Sequence, residues 1–168
     1  MVKNLLRLGF VFLMISSLVN VSSAMSQLES GVETVGQKAT NFSLEDTDGN
    51  KIDTAQVIGK IPVIFFFWTT WCPHCQSQIK QLKAEVEDIK KTGGQLILID
   101  IDESKSQVIN FLKSANAPFA SLLDKDARVA EMYKVIGVPT FVIVGSDGII
   151  KFHDNLLSDN YQKFLKEN

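Results

Sequence analysis

The stretch IPVIFFFWTTWCPHCQSQI, residues 61–79, carries both cysteines of the chain, Cys72 and Cys75. From Val63 to Trp68 it is an unbroken run of β-branched and aromatic residues. Such a run reads as a strand buried on both faces at the middle of a sheet. After TTWC a helical period begins. Ile79, Leu82, Val86 and Ile89 recur at spacings of three and four, with polar residues between them, and the glycines of KTGG stop the helix. The two cysteines therefore fall where a central strand passes into a helix.

That placement sets their chemistry. The first four N–H groups of a helix lack internal partners and give that end partial positive charge. Cys72 stands at the cap position. Pro73 takes the first helical position, where its missing donor costs nothing. Cys75 follows one turn later, on the same side and deeper. An ordinary thiol is only about 3% ionised at pH 7. A thiolate at Cys72 is favoured by the helix N–H groups, and His74 can add a hydrogen bond or positive charge. Cys72 is therefore expected to be an exposed nucleophile, and Cys75 the resolving thiol.

Other uses of two cysteines fit less well. A bridge across two intervening residues constrains the unfolded chain little. Zinc or copper needs three or four ligands, and the only histidine besides His74 is His153, far along the chain. No metal and no cofactor are expected. A peroxide-reducing cysteine would need an arginine on its thiolate, and after residue 24 the chain has only Arg128. The alternative carried forward is a metal-binding or partner-docking module without redox turnover.

The N-terminus adds a compartment. MVKNLLR carries Lys3 and Arg7 and no acid, LGFVFLMISSLVNV is apolar, and Ser22 and Ala24 are small. This is the pattern of a secretory signal peptide over residues 1–24, with an apolar run short of the roughly 20 residues a membrane span needs. Residues 25–36 are polar and aperiodic and read as a flexible leader, leaving 37–168 as one domain. Without Lys3 and Arg7 the 17 basic residues fall to 15, against 19 acidic ones. That balance excludes nucleic acid as the expected partner. Export places the cysteines in a periplasmic or secreted setting, where disulfides persist.

The remaining segments outline a mixed sheet. FSL and KID flank DTDGN, an Asp-Gly turn signal. QLILIDID is a second buried strand. Ser104 and Gln107 form a capping box ahead of a stripe of Val108, Phe111, Leu112 and Ala115. APFASLLD is a short extended piece. DARVAEMYKV is a helix with Val129, Met132 and Tyr133 inward. GVPTFVIVGSDGIIKFHD is a hairpin, and SDNYQKFLKEN a final helix capped by Ser158. Alternating strands and helices imply a parallel centre, and the hairpin adds antiparallel strands. The acids of DIDES, residues 100–104, lie at the end of the second strand, from which they could approach the site, and are expected to form a solvated loop. Trp68 is expected in the core and His153 on a surface strand.

FWTTWCPHC at the end of a buried strand, with GVPTF some 65 residues later, resembles the thioredoxin fold. The ATNFSLEDTDGNKI hairpin and the extra SKSQVINFLKSANAPFASLLD segment are similar to the exported TlpA/ResA-like thiol–disulfide oxidoreductases. The resemblance implies an α/β fold with helices on both faces of a mixed sheet, an N-terminal hairpin and a central insertion. It implies that Cys72 attacks and Cys75 resolves, and that Pro139 is cis beside them. Client chains would dock on the backbone of Val138, with Trp71 and Pro73 flanking. Partners would be client protein thiols or disulfides and a membrane redox protein for recycling, with a monomer expected. The work would be general disulfide traffic or cytochrome c maturation.

Three positions depart from the pattern. Phe66 stands where thioredoxins place a buried acid, and Gln78 where ResA-type reductases place a glutamate. The dipeptide between the cysteines is Pro73-His74, as in periplasmic disulfide-forming oxidases. A pair that stabilises the reduced thiolate makes the disulfide a stronger oxidant. The framework thus resembles reductases while the motif leans towards oxidation.

Overall fold

The computed structural model of the 168-residue chain describes residues 34–166. The expected signal peptide, and the leader up to residue 33, lie outside the described residues. The end of that leader already belongs to the fold. Thr34 is buried, and the Gly36 N–H donates to the Ile150 carbonyl at 2.8 Å. The packed chain therefore begins before residue 37.

Strand β3 (Val63–Trp68) is buried at all six positions. It pairs in parallel with β4 (Gln95–Ile101) and antiparallel with β6 (Thr140–Val144). Strand β5 (Ser121–Asp124) runs parallel to β4, and β7 (Ile150–Asp154) antiparallel to β6. The five-stranded order is β5-β4-β3-β6-β7. The hairpin of β1 (Ser43–Glu45) and β2 (Lys51–Asp53) forms its own small sheet. It is tied to β5 by the Thr47 N–H, which donates to the Ser121 carbonyl at 2.9 Å.

Among the described residues four α-helices complete the fold: α1 (Pro73–Lys91), α2 (Lys105–Ser114), α3 (Arg128–Met132) and α4 (Gln162–Lys166). Because successive strand residues point to opposite faces, β3 feeds two cores. Val63, Phe65 and Phe67 pack with Phe42, Val129 and Tyr133. Ile64, Phe66 and Trp68 pack with Ile79, Leu82 and Ile89 of α1, Val108 of α2, Leu165 of α4 and both cysteines. The expected insertion is α2 with the edge strand β5, and the Ser104–Gln107 capping box forms. Among the described residues no helix is long and apolar enough to cross a membrane.

Two expectations change. Met132 is exposed, while Val129, Ala130 and Tyr133 are buried. The cause is Asp124, whose carboxylate accepts the Val129 and Ala130 N–H groups at 3.1 and 2.8 Å and fixes the rotation of α3. Ser158 caps a turn rather than the last helix. Its Oγ accepts the Asn160 N–H at 3.3 Å, and α4 starts only at Gln162.

Candidate active site

Cys72 is the N-cap of α1, with extended backbone at φ −83° and ψ 111°. This conformation turns its sulfur back over the helix end, where it accepts the Cys75 N–H at 3.1 Å. Pro73 follows at the first position. The two cysteines form a disulfide, their Cα atoms 5.2 Å apart. Cys72 is 4% exposed and Cys75 0%. The order of depth is as expected, but Cys72 is not exposed. In the oxidised pair its sulfur is turned towards Cys75 and lies 3.7 Å from the Val138 carbonyl oxygen. His74 and Pro73 are both exposed. The hydrogen bond on the Cys72 sulfur comes from the Cys75 amide and not from the imidazole.

The Val138–Pro139 peptide, just ahead of β6, is cis, and the Val138 carbonyl lies beside the Cys72 sulfur. Two groups that sequence reasoning did not single out hold this loop. Asn155 Nδ2 donates to the Pro139 carbonyl at 2.6 Å and to Thr140 Oγ1 at 3.2 Å. Thr140 Oγ1 donates to the Gly137 carbonyl at 2.6 Å. Trp71 is 70% and Ile136 86% exposed. Both line a groove of about 440 Å³ whose floor includes Ile101, Ala130, Val135 and Val138.

The position of the absent family acid is apolar. Phe66 stacks on Phe141 with centroids 4.6 Å apart. Gln78 is half-buried on α1. Of the acids of the DIDES segment only Asp102 is exposed as a solvated loop residue. Asp100 is 0% exposed and Glu103 is 9% exposed. The Glu103 carboxylate accepts the Thr70 N–H at 2.5 Å and the Thr70 hydroxyl at 2.6 Å. From the other side, Gln76 Nε2 donates to the Thr70 carbonyl at 2.8 Å. Burial, then the Glu103 carboxyl, push the Asp100 carboxyl up to about 9. The signal was present in the sequence: Asp100 continues the inward register of Leu96 and Leu98, where a strand flanked on both sides has no solvated face. His153 is half-buried rather than superficial, and burial lowers its pKa.

Comparison with known proteins places the chain among relatives of known family. A family model described as the AhpC/TSA family matches residues 35–153. The thiol-disulfide oxidoreductase ResA of Bacillus subtilis is 34% identical over 113 residues, covering 67% of this chain and 63% of the relative. ResA of Bacillus thuringiensis is 30% identical over 135 residues, covering 79% of this chain and 78% of the relative. The structure of a secreted Mycobacterium tuberculosis disulfide oxidoreductase superposes with a TM-score of 0.64 at 24% identity, covering 74% of this chain and 94% of that one. The thioredoxin domain of a Bacteroides vulgatus thiol-disulfide oxidoreductase gives 0.68 at 21% identity, covering 79% and 95%. These two likenesses carry the thioredoxin fold. The chain belongs to the AhpC/TSA family of thioredoxin-like proteins and groups there with the ResA-type thiol–disulfide oxidoreductases.

Proposed function

We propose that the protein exchanges disulfides with client proteins outside the cytosol, cycling Cys72 and Cys75 between dithiol and disulfide. The observation that carries this is the Cys72–Cys75 pair at the N-terminus of α1, with the Cys75 amide on the Cys72 sulfur. In the reducing direction the Cys72 thiolate attacks a client disulfide. One S–S bond forms, one breaks, and a client thiolate leaves. The Cys75 thiolate then attacks the Cys72 sulfur and releases the second client thiolate, which takes up a proton. The client gains two electrons and two protons, and the protein ends as its own disulfide. The oxidising direction is the same sequence reversed.

The amide at 3.1 Å and the helix end stabilise the Cys72 anion as attacker and as leaving group. His74 stands exposed on the first turn of the same helix. The Val138 carbonyl is placed to receive an extended client segment beside the sulfur, and Trp71 and Pro73 form the rim. Recycling falls to a membrane redox partner, the protein acts as a monomer, and its setting is periplasmic or secreted. The compartment follows from the N-terminal pattern of charge, apolar run and small residues.

The test is the reduction potential of the couple in a glutathione buffer series. A reversible two-electron couple is expected. A value between about −120 and −180 mV makes the protein a disulfide donor, as the Pro-His pair favours. A value near or below about −250 mV makes it a reductant. No reversible couple would overturn the redox reading.

A further inference from the structure

Asp100 is a fully buried acid on the sheet face that carries the cysteines, with no hydrogen-bond partner outside Glu103 among the described residues. It pairs in register with Trp68 on β3 and with Leu123 on β5. Strand alternation puts its side chain with Leu96 and Leu98, on the face whose core holds Cys72 and Cys75. Neither carboxyl oxygen reaches solvent, and the polar group that acts on them is the neighbouring Glu103. Glu103, three residues on, has two donors from Thr70. Thr70 lies two residues before Cys72, and Gln76 of α1 holds its carbonyl. The segment that delivers the nucleophile is thus gripped at every polar atom of Thr70.

A buried carboxyl beside a second carboxyl does not readily ionise, because burial and the neighbouring charge both disfavour its anion. Glu103 has the donors from Thr70 and Asp100 has none there, so Asp100 is the one that keeps its proton. The neighbouring elements do not reverse this. On the same face β3 and β5 contribute Trp68 and Leu123, α2 contributes Val108 and Leu112, and α1 contributes Ile79 and the cysteine pair. The charged groups acting on Asp100 are Glu103 and, more weakly, Asp102, and both oppose its ionisation.

We infer that Asp100 is a positioning residue for exchange at Cys72. As a neutral acid it shares a single negative charge with Glu103, which keeps Glu103 locked on Thr70 and the cap geometry of Cys72 fixed. The inference rests on the redox reading above. Ionisation of Asp100 sets a second negative charge against Glu103, loosens the hold on Thr70, and adds repulsion on the face where the Cys72 thiolate must form.

The experiment is the rate at which the reduced full-length protein attacks oxidised glutathione, followed from pH 6 to pH 11. In the wild type the rate rises as the thiol ionises, then falls about fivefold around pH 9, the size of a lost helix-end interaction. In Asp100→Asn, which has no proton to lose, the rate reaches a plateau and stays there. Glu103→Gln loses rate at every pH, because the clamp itself is weakened. Infrared spectroscopy of the wild type gives a readout that needs no variant: a protonated carboxyl band at pH 7 that disappears as pH passes about 9. Identical pH profiles for wild type and Asp100→Asn, or no such band at pH 7, would overturn the inference alone. A Cys72 thiol that attacks no disulfide at any pH would overturn the redox reading together with it.

Discussion

At the residue scale, Cys72 and Asp100 carry separate consequences. The Cys72 sulfur is served by the Cys75 amide, a donor that is present whatever the pH. Cys75 is fully buried and reaches no client. Cys75→Ser is therefore expected to stop turnover after the first attack and to accumulate a Cys72–client mixed disulfide, visible by mass spectrometry. Cys72→Ser forms none. Asp100 predicts a second effect, on stability. Its folded pKa is raised above the unfolded value, up to about 9. The stability it contributes is whole below the unfolded pKa of about 3.9 and is lost as pH rises through the folded value. Between about pH 5 and pH 8 the wild type should lose stability relative to Asp100→Asn by up to ~1.4 kcal/mol per pH unit, the slope of one proton. Urea unfolding at each pH measures the difference, and a constant difference would contradict it.

At the element scale, the order of strands and helices was legible because each element has a strong local cause. The apolar run of β3, the 3.6-residue period of α1 and the capping box of α2 each point one way. What was not legible depends on partners far along the chain. Asp124 sits at the end of β5 and reads locally as a strand terminus, yet its carboxylate caps α3. That bond turns Met132 outward, against the expectation from periodicity. Asn155 reads as a loop residue but holds the cis-Pro139 turn. The acids of DIDES read as loop because charge normally marks solvent, and only the covering of both sheet faces makes Asp100 interior. Asp124→Ala tests the cap. It removes the acceptor for two buried N–H groups, so a loss of about 1–3 kcal/mol is expected by urea unfolding. Asp124→Asn, which keeps one acceptor oxygen, should recover part of it.

At the scale of the whole molecule, the sheet order places chemistry at one end. Strands β3 and β4 run parallel, so the segments leaving both arrive together: Thr70 to Cys72 from β3, and Asp102 and Glu103 from β4. The antiparallel β6 enters from the opposite direction and brings the Val138–Pro139 turn to that same end. The result is a covered disulfide beside an open apolar groove, with Trp71 and Ile136 its exposed large apolar walls. A covered sulfur needs its client held in register before attack, and large aromatic side chains at a rim supply that at low entropic cost. A small disulfide such as oxidised glutathione spans little of the groove, whereas a protein segment lies along it. Trp71→Ala is therefore expected to lower kcat/KM for a protein disulfide about tenfold, mostly through KM. With glutathione the loss should be much smaller. Equal losses for both substrates would place Trp71 in support of the Cys72 cap instead of in client docking, and steady-state kinetics on the two substrates separates these outcomes.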